Sequence, residues 1–71
     1  MVNYDLLKEK IRQSGFRHKH IADVMGLSES NLSYKINGKR KILLDDVPAF
    51  QRALNLSRKE MLDIFFADNV E

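Results

Sequence analysis

Between Ser28 and Lys41 the chain gathers Glu29, Ser30, Asn31 and Tyr34 on one short segment and closes it with Lys39-Arg40-Lys41. These residue types can read base edges. A carboxylate accepts from cytosine N4, an Asn amide pairs bidentately with adenine, a Ser hydroxyl serves either base, and a Tyr touches a thymine methyl or a phosphate. Cations around such a segment would hold phosphates, which sets affinity and register without reading sequence. The base-contacting set is thus Glu29, Ser30, Asn31 and Tyr34. The phosphate-contacting set is Arg17, His18, Lys19, Lys35, Asn37, Lys39, Arg40 and Lys41, with Asn37-Gly38 seating the backbone beside a phosphate.

Other chemistry fits less well. His18 and His20 are two apart and so point to different sides of a helix, and Asp23 is their nearest carboxylate, so no metal site is expected. Ser, His and Asp for a nucleophilic triad all occur here, but without a Gly-rich oxyanion loop or room for a substrate pocket. No enzyme, cofactor or small-molecule substrate is expected. The absence of cysteine removes disulfides, thiolate metal sites and thiol nucleophiles, and suits a reducing compartment.

Charge distribution agrees with a polyanion partner. The chain has 71 residues and a net charge of +2, but residues 17–41 carry six Lys and Arg against Asp23 and Glu29. Residues 42–71 carry Arg52, Arg58 and Lys59 against six acidic side chains. A basic middle and an acidic end suit a protein presenting one face to a polyanion. No apolar run reaches the roughly 18 residues of a membrane span, and no leader pattern opens the chain. A cytoplasmic protein without a membrane partner is expected. At this length one domain over residues 1–71 is expected, burying only about 60% of its unfolded surface, so self-association would help it.

The elements that must position these residues are short helices. Asn3 can cap a first helix carrying Tyr4, Leu7 and Ile11, which Ser14-Gly15 stops. A second helix runs from about Arg17 to Met25 and ends at Gly26. Ser28 caps a third, with Leu32 and Ile36 on its inner side and Asn37-Gly38 at its end. Asp45 can cap a fourth, with Pro48 in its first turn and Val47, Phe50 and Leu54 along one face. Ser57-Arg58-Lys59-Glu60 is a capping box opening a fifth. No alternating strand pattern is present, so the class is all-α with five helices.

The second and third helices are joined by only Gly26-Leu27-Ser28 and must cross steeply over a small residue, Ala22. Residues 17–39, Arg-His-Lys-His-Ile-Ala-Asp-Val-Met-Gly-Leu-Ser-Glu-Ser-Asn-Leu-Ser-Tyr-Lys-Ile-Asn-Gly-Lys, resemble the helix-turn-helix of the phage Cro and lambda-repressor-like family. The five-helix plan extends that resemblance over nearly the whole chain, with the motif at about residues 17–38. Two positions depart from it. His18 stands where the family usually has a Gln that anchors a phosphate and buttresses the third helix. Lys35 stands where a third apolar residue is common, and this implies a third helix slightly rotated or less tightly packed.

The resemblance implies a compact lambda-repressor-like domain whose helix over 28–37 enters the major groove. At about 100° per residue, Ser30, Tyr34 and Asn31 lie opposite Leu32 and Ile36, while Glu29 sits on the first turn, which this class points at base edges. It implies a transcriptional regulator, of the short Cro type in that the chain ends soon after its fifth helix, repressing from a palindromic site on double-stranded DNA. A dimer is expected from the fifth helix. Met61, Leu62, Ile64, Phe65 and Phe66 span an arc of about 200°, whereas a core-facing stripe needs about 100°. Ile64 and Phe66 are the expected dimer contacts, with Met61, Leu62 and Phe65 completing the core beside Leu7, Ile11, Phe50 and Leu54. The alternative is an antitoxin-like or adaptor module that binds a partner protein and uses its helix-turn-helix only for autoregulation.

Overall fold

The structure is a computed structural model and describes residues 1–67. Asp68 and Glu71, two of the acidic side chains behind the charge of the final segment, lie outside the described residues. Five helices follow in order: α1 (Tyr4–Ser14), α2 (His18–Met25), α3 (Glu29–Ile36), α4 (Asp46–Leu54) and α5 (Arg58–Phe65). No strand occurs among the described residues, so the chain is all-α.

Local caps explain most of the boundaries. Asn3 Oδ1 accepts from the Leu6 amide at 3.1 Å and Ser28 Oγ from the Asn31 amide at 3.0 Å. At α5 the box is reciprocal: the Glu60 amide donates to Ser57 Oγ at 3.1 Å, and the Ser57 amide donates to Glu60 Oε1 at 2.9 Å. Each cap satisfies amides that the helix itself leaves unpaired. The start of α4 differs from expectation. Asp45 has helical backbone angles and makes no side-chain cap bond, so it cannot lean back over the first turn. The neighbouring Asp46 turns its carboxylate to the preceding loop instead, where Oδ2 accepts from the Leu43 amide at 2.7 Å.

Every helix sends one large side chain fully into the interior: Leu7, Ile21, Leu32, Phe50 and Ile64. Around them pack Ile11, Ala22, Ile36, Val47, Ala53, Leu54, Leu56 and Phe65, and the Phe50 and Phe65 rings lie 5.5 Å apart at a tilt. A core shared so evenly means that removing any one helix uncovers the other four. The start of α1 also closes on the end of α5, because the Asn3 amide donates to the Ile64 carbonyl at 2.7 Å. Lys10 Nζ on α1 reaches Glu60 Oε2 on α5 at 2.5 Å.

Ile64 therefore is not a surface residue. It has no exposure, because α5 docks by its C-terminal end, where Ile64 and Phe65 both face inward. Phe66 follows the last helical residue with φ −130°, so it leaves the helical screw and half-buries against the core. With Phe66 off the helix, the apolar arc on α5 narrows from about 200° to about 160°, and Ile64 at its edge is buried.

Candidate nucleic-acid interface

The segment carrying the predicted base-reading residues is built by two tight reversals. At the first, Gly26 takes φ 73° and the Leu27 amide donates to the Ala22 carbonyl at 2.9 Å. This left-handed step ends α2 and lets α3 start three residues later, with Ala22 buried on α2. At the second, Gly38 takes φ 74°, and the Tyr34 carbonyl accepts from the amides of Lys39, at 2.9 Å, and Arg40, at 3.2 Å. A Cβ on Gly38 would make only an ordinary contact with the Tyr4 ring, at 3.4 Å, so it is the positive angle that favours glycine there. The chain is turned back along α3 instead of away from it.

That return sets the composition of the exposed face. Glu29, Ser30 and Tyr34 are exposed and Asn31 is half-buried. Arg40 folds over them: its Nη1 donates to Asn31 Oδ1 at 2.9 Å, and its guanidinium carbon stands 5.4 Å from the centre of the Tyr34 ring. Sequence spacing placed Arg40 only in a trailing basic run, since nothing local connects residues 31 and 40. Asn31, Tyr34 and Arg40 are one cluster.

Arg17, His18 and Lys19 at the start of α2, and Lys39 and Lys41 after α3, are all exposed. Asn37 is exposed, but its amide donates back to the Ser33 carbonyl at 2.9 Å, finishing its own helix. His18 shares a recess with Lys8, Ile11, Ile36 and Asn37. Lys8 is thus a cation beside the α2 N-terminus that sequence reasoning missed, because it belongs to α1. A periodic search for cations within residues 17–41 does not reach it.

Lys35 corrects an expectation. It was placed among the phosphate contacts, yet only 5% of it is exposed. Its Nζ meets Asp46 Oδ2 at 2.5 Å and the Lys41 carbonyl at 3.4 Å. The aliphatic stem fills the inward position where an apolar residue was expected, and the ammonium is neutralised at the far edge of the core. Leu32, Lys35 and Ile36 together are the buried side of α3. The same pair fixes the loop that carries Lys39, Arg40 and Lys41, because Asp46 also holds the Leu43 amide.

No family model, no curated protein and no solved structure matches this chain. The functional reading accordingly rests on the chain's own residues. Among the described residues no group of three or more His, Asp or Glu side chains is placed to hold a metal ion. The His20 ring lies against Phe16, with centroids 4.7 Å apart, away from His18. Among the described residues no helix is long and apolar enough to cross a membrane.

The exposed apolar surface lies elsewhere than α5. Leu43 is 57% and Leu44 75% exposed, beside a shallow groove lined by Val2, Ile42, Val47, Phe65 and Phe66. Of the two residues expected at a dimer contact, Phe66 borders this surface and Ile64 does not.

Proposed function

We propose that this chain is a sequence-specific DNA-binding transcriptional regulator, a Cro-type repressor of the lambda-repressor-like helix-turn-helix kind, that lays α3 in the major groove. The observation that carries the reading is the α3 face. Glu29, Ser30, Asn31 and Tyr34 stand outward while Leu32, Lys35 and Ile36 anchor the opposite side. Arg17, His18 and Lys19 precede this helix in the chain and Lys39, Arg40 and Lys41 follow it, and exposed cations of this kind suit phosphate contacts around a reading helix. Repression, as opposed to activation, rests on the resemblance alone.

Binding as a homodimer belongs to the same proposal, with a different surface from the one expected on α5. The segment Lys39-Arg40-Lys41-Ile42-Leu43-Leu44-Asp45 runs from basic through apolar to acidic. An isologous contact brings such a segment against its own copy in antiparallel order. Leu43 then faces Leu44 of the other copy across the axis, which sets Asp45 opposite Ile42 and next to Lys41 of the other copy. A self-complementary charge order favours a second copy over an unrelated partner.

Selection of binding sites from a random duplex library at about 150 mM salt tests the function, because charge-driven non-specific binding is weak there. The expected pool is an inverted repeat with half-site centres about 10 bp apart. A pool without any motif overturns direct reading and favours a module that binds a partner protein.

A further inference from the structure

We propose that the Arg40–Asn31–Tyr34 cluster is a guanine-reading site, with Arg40 as a base contact instead of a phosphate contact. The inference rests on the DNA-binding reading above and deepens it. Arg40 is fixed from several directions. Its backbone amide is tied to the Tyr34 carbonyl, one guanidinium nitrogen donates to Asn31 Oδ1, and the guanidinium plane borders the Tyr34 ring. The loop after it is held by Asp46, through Lys35 Nζ and the Leu43 amide. A phosphate contact needs only a cation on a flexible stem, whereas this arginine is built into the reading face.

The chemistry of the cluster then selects a base. Asn31 alone, with a free carbonyl and a free amide, would suit adenine, which offers N7 as acceptor and N6 as donor. Here Arg40 occupies the Asn31 carbonyl, and a positive charge stands beside it. What remains toward solvent from this pair is chiefly donors, the Asn31 amide hydrogens and the guanidinium N–H groups not used on Asn31, against one remaining lone pair on Asn31 Oδ1. The adenine and cytosine edges each bring a donor toward that charge and are disfavoured. Guanine presents two acceptors, O6 and N7, which the fork of an arginine meets bidentately. Tyr34 limits the rotation of the guanidinium, so the fork is presented in one orientation.

The test uses the full chain and the duplex recovered by selection. Wild type is expected to enrich a guanine in each half-site. Replacing it by 7-deazaguanine, which lacks only the N7 acceptor, should weaken binding by roughly 5- to 150-fold. Arg40→Lys keeps the charge but not the fork. It should lose the guanine preference while retaining non-specific binding at low salt and its melting temperature. A variant that recovers the same motif as wild type would overturn the assignment, as would adenine enriched in place of guanine. If wild type binds random duplex with the expected salt dependence but shows no guanine step, this inference alone fails. If it binds no duplex even at about 50 mM salt, the DNA-binding reading fails and takes this one with it.

Discussion

Removing the ammonium of Lys35 would leave the Asp46 carboxylate, whose side chain is 14% exposed, without its cation. Removing one member of a buried pair costs about 3–5 kcal/mol, since the remaining charge stays desolvated. Asp46 keeps the Leu43 amide as a donor, which puts Lys35→Ala near the lower end, about 3 kcal/mol. In a chain this short that is a large share of total stability. The expected result is a lower urea midpoint, together with faster amide exchange over residues 39–44. An unchanged midpoint would mean that the ammonium stands in solvent, free for a phosphate as the sequence suggested. Nothing in the sequence singled out this pair. Lys35 has Asp45 and Asp46 at similar separation, and only the tertiary course of the chain between α3 and α4 brings Asp46 to its ammonium. The outward face of α3 was legible for the opposite reason: Leu32 and Ile36 lie one turn apart, so the outward residues follow from period alone.

Helix boundaries were readable wherever the signal lies within four residues. Asn3, Ser28 and the Ser57–Glu60 box act through hydrogen bonds inside their own first turns. What the box does beyond capping depends on Lys10, which another helix delivers. The Lys10 ammonium, and after it the Ser57 backbone amide, lower the Glu60 carboxyl from 4.5 to about 2. The folded chain thus holds this carboxylate ionised where the unfolded chain would protonate it. Its contribution is complete above pH 4.5 and is lost as pH falls from there through about 2. Glu60→Gln should therefore lower stability at pH 7 and flatten the acid limb between pH 4.5 and 2, as urea melts across that range would register. A variant that lost stability equally at pH 7 and pH 2 would show that the box stabilises by geometry alone, without the charge on Glu60.

At the scale of the whole molecule, the five-helix count and the shared core were legible in the sequence, and the place of the exposed apolar surface at Leu43 and Leu44 was not. The wheel drawn for α5 assumed that the helical screw continues through Phe66, but the helix stops at Phe65, and the Asn3–Ile64 bond pulls that end into the core. Exposed apolar surface appears instead in the loop between α3 and α4, where no periodicity marks a side chain as inward or outward. A stable interface takes about 800 Å² from each partner, more than Leu43 and Leu44 supply, so the groove of Val2, Ile42 and Phe66 must take part. The double substitution Leu43→Ser with Leu44→Ser should then convert a dimer to a monomer in sedimentation equilibrium. Beyond the stabilisation lost with the dimer, it should change the stability of the single protomer by no more than about 0.5 kcal/mol, because both side chains already face solvent in one copy. Affinity for a duplex with two half-sites should fall toward that for a single half-site, since each α3 keeps its own contacts and only their linkage is lost. Persistence of the dimer in the double variant would assign it to another face, with the exposed Phe16 and Val24 next to be changed. Ile64→Ser cannot serve as the comparison, because burial of that side chain in the shared core makes unfolding its first consequence.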